Sequence, residues 1–248
     1  MPTDSVKKYF DMHSHEHIYS HDPDNYNEVV KKLRTEFDKK IRILDVGCGT
    51  GTFIQCLMNN SVSADIIGVD LSESMIATAQ GKLGNYPNVK LLAISAFELS
   101  KQGYPKFDVI HIDSVLHHLI GPSAHSSKKL AHQMISQLTG MLTVDGVLVV
   151  EEMFYTSYLM RTITSRVIFY GLKLFNALGV DMHKYIPEIQ LGLEVNFFDT
   201  RELENLFNQY VSSVQVHKKE MLTIPRLYRF FLLKEFGRIT YFLKNTVT

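Results

Sequence analysis

The chain has 248 residues, of which 45% are hydrophobic and 21% charged. That is ordinary globular composition, long enough for one sizeable α/β domain, and it excludes a disordered or low-complexity chain. Lysine plus arginine and aspartate plus glutamate both number 26, so the net charge is zero and the basic footprint of a general nucleic-acid binder is lacking.

Cys48 and Cys56 are the two cysteines, too few for a disulfide framework or a cysteine-based zinc site. Residues 1–8 have no apolar core of the kind a secretory signal needs, so a reducing cytoplasm is the expected location. The most apolar long stretch, residues 158–180, is interrupted by Arg161, Arg166 and Lys173. A spanning helix needs roughly 20 nearly uninterrupted apolar residues, so no transmembrane segment is expected.

Residues 1–38 are polar and rich in histidine, and then a regular rhythm begins. Arg42-Ile43-Leu44-Asp45-Val46 is an apolar run ending at glycines, which predicts a buried strand. A helix follows over 53–58, a strand over 65–70, and a helix over 74–82 with Ser72 as N-cap. Residues 89–94 and 107–112 read as strands, and 126–142 as a long helix with Leu130, Met134, Leu138 and Leu142 at helical spacing. Residues 146–151 complete a fifth strand. Strands alternating with helices predict a parallel sheet covered on both faces.

After Glu152 the rhythm breaks, and 153–196 predicts two or more helices rich in aromatics. A helix capped by Asp199 or Thr200 is expected over 200–208, a strand over 211–222, a helix over 225–236 and a last strand over 238–243. The expected organisation is an N-terminal lid (1–38), a cofactor-binding core (39–152), a helical substrate-covering insertion (153–198) and a completion of the core sheet (199–248).

The turn after the first strand is Gly47-Cys48-Gly49-Thr50-Gly51-Thr52. Glycines there let a ligand approach the backbone at the start of a helix. Dinucleotide sites use Gly-x-Gly-x-x-Gly, but Thr52 stands where the third glycine of that pattern belongs. Asp45, just before the turn, would repel a diphosphate and suits the ammonium and sulfonium charges of S-adenosylmethionine. Asp70, at the end of the next strand, is placed to accept both ribose hydroxyls of an adenosine ligand.

With these residues the sequence resembles the class I S-adenosylmethionine-dependent methyltransferases, especially their small-molecule branch. The matching segments are residues 43–51, 68–72, 107–110, 115–119 and 145–149, in the family's order. The resemblance implies a Rossmann-like doubly wound α/β sheet, mostly parallel, with one antiparallel C-terminal strand and a helical insertion after the fifth strand. It implies that Gly47, Gly49 and Gly51 border the methionine part of the cofactor, that Asp45 lies near its amino group, that Asp70 binds the ribose, and that Cys48 and Leu71 belong to the cofactor site. The family's adenine-contacting acid and small residue correspond to the segment Ser95-Ala96-Phe97, where Ser95 replaces the acid. The product would be S-adenosylhomocysteine.

Ligands in open α/β sheets bind beyond the carboxyl ends of the strands, which brings in Asp113, Ser114, His117, His118, Glu151 and Glu152. His117 or His118 is the candidate general base, and the alternative is a structural turn with one histidine packed against the cofactor. Glu151 and Glu152 either orient an acceptor or are satisfied strand-end carboxylates. His13, His17 and His21, if helical, share one face and with Glu16 raise a zinc reading. The resemblance favours instead a lid in which Tyr9 and Tyr19 cover the cofactor, so no metal is expected.

Aromatic and apolar residues crowd the insertion, among them Phe154, Tyr155, Tyr158, Phe169, Tyr170 and Phe175. They favour an apolar, aromatic or lipid-like small-molecule acceptor, or they form the insertion's own core. Arg161, Arg166 and Lys173 suit an anionic group, a membrane surface or solvent. After the fourth strand the run Ile112-Asp113-Ser114-Val115 lacks the motif of nucleic-acid amine methyltransferases. The expected activity is methyl transfer to an O, N or C atom of such a small molecule. Its alternatives are a nicotinamide-dependent oxidoreductase and a non-catalytic S-adenosylmethionine-binding module.

Overall fold

A computed structural model describes residues 4–13, 23–99, 101–180, 192–224 and 232–245. The helices are α1 (Asp4–His13), α2 (Asn27–Glu36), α3 (Thr52–Asn59), α4 (Glu73–Leu83), α5 (Ala96–Leu99), α6 (Ala124–Gly140), α7 (Ile163–Leu178) and α8 (Thr200–Phe207). The strands are β1 (Ile41–Val46), β2 (Ala64–Asp70), β3 (Val89–Ala93), β4 (Phe107–Asp113), β5 (Leu142–Ser157), β6 (Ser213–Met221) and β7 (Leu233–Lys244). Single 3-10 turns span Pro23–Tyr26 and Leu116–His118. The sheet order is β3-β2-β1-β4-β5-β7-β6, mostly parallel with an antiparallel C-terminal strand, which is the expected Rossmann-like arrangement. The order reverses direction at β1 and β4, the switch point where such sheets bind ligands.

The chain divides into two compact units. One comprises Phe10–Asp113, Gln137–Val149 and Lys244–Thr248. Its centre is β1, paired in parallel with β2 and β4 in a register that sets Asp45 beside Gly68 on one side and His111 on the other. Ile43, Leu44, Val109, Ile110 and Ile112 are fully buried, as near-continuous apolar strands require when helices cover both faces. Phe53, Ile54 and Leu57 of α3 and Met75, Ala79 and Leu83 of α4 supply buried helical stripes. Ser72 caps α4 by accepting from the Met75 N–H at 3.2 Å.

The other unit comprises Met1–Tyr9, Ser114–Ser136 and Val150–Leu243. In it β5 runs on to Ser157, well past the expected end at Glu151. Glu152 is fully buried there with its charge met by donors, so a carboxylate in the strand does not stop it. Among the described residues the insertion then holds one helix, α7, while 181–191 lie outside them. The helix expected over 225–236 is corrected in part. Leu233–Phe236 belongs to β7, because Leu222 N–H bonds the Phe236 carbonyl across from β6 at 3.0 Å; 225–231 lie outside the described residues.

Asp199 is the N-cap of α8 and forms a full capping box: it accepts from Arg201 and Glu202 N–H, and Glu202 Oε2 accepts from Asp199 N–H at 3.1 Å. The same carboxylate pairs with Arg161 Nε at 3.0 Å, and its side chain is 3% exposed. Asp199→Ala removes cap and ion pair together and is expected to destabilise the protein by at least about 1–2 kcal/mol, whereas Asp199→Asn keeps the cap and is milder. Urea unfolding midpoints of the two variants check this; equal midpoints would remove the ion pair from the account.

Candidate active site

The first unit carries the glycine turn. Gly47, Gly49 and Gly51 all have positive φ, at 69°, 50° and 80°, a region open to glycine and strained for other residues. Gly47 and Cys48 N–H both bond the Val69 carbonyl, at 2.8 and 3.0 Å, which anchors the turn to β2. A Cβ on Gly49 would meet nothing within 4 Å, so the space in front of it is open, whereas one on Gly51 would lie 2.5 Å from Leu83 Cδ1. Gly51 therefore lets α3 pack on α4, and Gly49 leaves a cradle for a ligand.

Asp70 governs that cradle. Its Oδ2 accepts from Gly49 N–H and its Oδ1 from Ser72 N–H, both at 2.9 Å. Burial pushes its carboxyl above the ordinary range, the two backbone donors oppose this, and the Asp45 and Asp11 carboxylates add to the rise. Asp11 of α1 reaches the same place, accepting from Ser72 Oγ at 2.7 Å. Leu71, between them in the chain, is half-buried. Burial foremost, then Asp45 and Asp70, also push the Cys48 thiol well above its usual value. Ser95 accepts from Phe97 N–H at 3.2 Å and so starts the short α5, where Ala96 is buried and Phe97 half-buried.

Asp45 is 2% exposed, and its Oδ1 lies 2.8 Å from His111 Nδ1 on the neighbouring strand. The His111 ring stacks on Phe53 with centroids 3.7 Å apart, and Tyr26 meets both rings edge-on. Tyr26 also donates its hydroxyl to Asp113 Oδ2 at 2.8 Å. Sequence reading missed His111, Tyr26 and Asp11. A histidine in the apolar run of β4 was the one available signal, since a buried polar ring needs a partner. Which strand supplies that partner depends on register.

The second unit holds the other candidates. His117 Nδ1 bonds Glu152 Oε1, and Glu152 also accepts from Met153 N–H at 2.8 Å and Leu116 N–H at 3.0 Å. A carboxylate only accepts, so this contact fixes the hydrogen on Nδ1 and leaves Nε2 as the basic nitrogen of the neutral ring. The His117 ring centroid is 5.1 Å from that of Phe197, which stacks on Tyr155 at 4.0 Å. His118 is pushed well below the usual histidine value, by burial first and then by the His117 charge, with a bond to the Glu194 backbone opposing. Glu151, next along β5, turns to the opposite face and accepts from Thr240 Oγ1 at 3.2 Å. Ser114 has a φ of 56°, a strained value for a non-glycine residue, directly after β4.

Tyr9 is 1% exposed and packs beside Gly192. Tyr19, Glu16, His17 and His21 lie outside the described residues, as does the His13 side chain. Among the described residues no three histidine, cysteine or acidic side chains cluster as metal ligands, and no helix is long and apolar enough to cross a membrane.

The open space at Gly49 lies beside the Asp70 carboxylate. A family profile described as a methyltransferase domain matches residues 37–187. A malonyl-[acyl-carrier protein] O-methyltransferase of Ilyobacter polytropus is 36% identical over 76 residues, 28% of this chain and 28% of that protein. The match thus spans less than a third of that relative. The fold is similar to magnesium protoporphyrin IX methyltransferase from Synechocystis with bound S-adenosylhomocysteine, with a TM-score of 0.59 at 16% identity over 98% of this chain and 100% of the other. It is also similar to 1,6-didemethyltoxoflavin-N1-methyltransferase of Burkholderia thailandensis, crystallised with 1,6-didemethyltoxoflavin and S-adenosylhomocysteine, with a TM-score of 0.60 at 13% identity over 99% and 91%. With more than half of its length matched, the chain belongs to the methyltransferase-domain family, and its fold is that of the class I S-adenosylmethionine-dependent methyltransferases.

Proposed function

We propose that this protein methylates an O, N or C atom of a small, apolar or aromatic molecule, with His117 as general base and Glu152 holding it. The observation that carries the reading is the buried His117–Glu152 pair set against the Tyr155–Phe197 stack, a proton acceptor beside an aromatic wall. Of the similar proteins, one is named for a porphyrin, one for 1,6-didemethyltoxoflavin and one for malonyl-[acyl-carrier protein]. The nicotinamide alternative is dropped, because family, glycine spacing and Asp45 agree on the methyl donor.

S-adenosylmethionine supplies an electrophilic methyl carbon, so the protein's own work is to position, desolvate and remove a proton. In this reading Asp70 receives the ribose hydroxyls while keeping the glycine turn in place, and Gly47, Cys48 and Gly49 line the path of the methionine part. Asp45, steadied by His111, supplies negative potential for the cationic tail, and Asp113, steadied by Tyr26, closes that end of the cradle. Ser95, Ala96, Phe97 and Leu71 flank the adenosine. His117 takes the proton at Nε2, and Glu152 stabilises the imidazolium that results. His118, held toward its neutral form, serves as a packed wall rather than a second base.

Three outcomes test the assignment. Asp70→Ala is expected to weaken S-adenosylmethionine binding tenfold or more, about 1.4 kcal/mol, by titration calorimetry. Ribose hydroxyls donate to the ionised carboxylate, so binding lowers the raised Asp70 value; affinity should fall as pH drops into the mildly acidic range, and Asp70→Asn should flatten that dependence. A wild-type affinity independent of pH there would remove Asp70 from the ribose. For an acceptor that enters protonated, found by screening with labelled S-adenosylmethionine, His117→Gln should lower kcat by roughly 10²–10⁴-fold with cofactor affinity unchanged. An unaltered kcat would sink the base assignment.

A further inference from the structure

Helix α7 is apolar on both sides. Its inner face buries Phe169 and Leu172, and Thr164 is clamped by Ser157, whose hydroxyl lies 2.6 Å from the Thr164 hydroxyl and accepts from its N–H at 2.8 Å. Its outer face exposes Val167 (48%), Tyr170 (52%), Leu174 (57%) and Leu178 (66%), which recur at steps of three and four and so form one stripe. The turn that feeds the helix exposes Tyr158, Leu159 and Met160 at 66%, 75% and 63%. Leu232, 36% exposed, adjoins it, since its carbonyl accepts from Tyr158 N–H at 2.9 Å. A helix with apolar residues on both faces belongs in an interior, and so large an exposed apolar surface marks an interaction site.

The charges say what kind of partner fits. From residue 158 to 180 there are Arg161, Arg166 and Lys173 and not one acid. Arg161 is bound to Asp199, and Lys173 reaches the carbonyls of Gly121 and Pro122 and lies 3.7 Å from Glu194, so both help to hold the element in place. Arg166 is exposed and lies one step from Val167 and one turn from Tyr170, along the edge of the stripe. The surface is apolar at its centre, bears tyrosines, and carries Arg166 at its edge. Interfacial helices that lie in the headgroup region of a bilayer have this pattern.

We infer that the outer face of α7 and the 158–160 turn dock this protein on a membrane surface containing anionic phospholipid. None of these residues is among those assigned to cofactor binding or proton transfer, so the inference does not rest on the reading of the active site. The test is co-sedimentation of the full chain with vesicles of phosphatidylcholine mixed with phosphatidylglycerol, compared with phosphatidylcholine alone. The wild type should bind the mixed vesicles best and release partly as salt is raised. The double variant Val167→Glu/Leu174→Glu should bind at least about tenfold more weakly while its S-adenosylmethionine affinity, read by calorimetry, stays unchanged. Arg166→Glu should remove most of the preference for the anionic mixture.

Wild-type protein that stays in the supernatant with both vesicles would overturn the inference, as would a double variant that binds like the wild type. Gel filtration distinguishes a second copy of the chain: a wild-type dimer that the double variant dissolves, with no vesicle binding, assigns the face to self-association and rejects the membrane.

Discussion

The carboxylate of Asp70 joins the pieces of chain proposed to meet the nucleoside. It holds Gly49 through one oxygen and Ser72 through the other, so the glycine turn and the start of α4 keep a fixed spacing. Ser72 in turn caps α4 and donates to Asp11 of α1. Three backbone segments distant in sequence therefore share one anionic centre. The positive φ values of the glycines would otherwise make the turn loose, since glycine gives up the most conformational freedom on ordering. Fixing the turn before a ligand arrives lowers what binding must spend on order.

A second theme is how the protein keeps buried charge. Asp45 and Glu152 are 2% and 0% exposed, and a lone carboxylate at either place would be prohibitive. Each is paired with a histidine Nδ1, His111 for Asp45 and His117 for Glu152, and Glu152 gathers two backbone donors besides. The two pairs have different surroundings. His111 is stacked on Phe53 and met edge-on by Tyr26, a setting that immobilises it. His117 lies against Phe197 at the end of the Tyr155 stack, the place proposed for the acceptor.

Much of the sheet was legible because β1, β2 and β4 are covered on both faces and so read as apolar runs ended by turn residues. Ser72 and Asp199 were legible as caps because a short polar side chain before a helix has one local use. The end of β5 was not, since Glu152 looks like a strand terminator until its three donors are known. Nor was the start of β7: Lys234 and Glu235 among apolar residues suit a helix, and only the pairing of Leu222 with Phe236 makes them strand. In the active site, motif residues were visible and their supports were not. The pairing of Asp45 with His111 depends on register between β1 and β4, and that of Tyr26 with Asp113 crosses 87 positions of chain.

One consequence concerns the sulfur in the glycine turn. S-adenosylmethionine is an alkylating agent, and the turn proposed to hold it contains Cys48. A thiolate there would be a ready nucleophile for the wrong reaction, methylation of the protein by its own cofactor. Burial and the flanking charges of Asp45 and Asp70 keep the sulfur protonated. In the proposed site, burial together with the two acids assigned to the cofactor's polar groups thus keeps Cys48 in its less reactive thiol form.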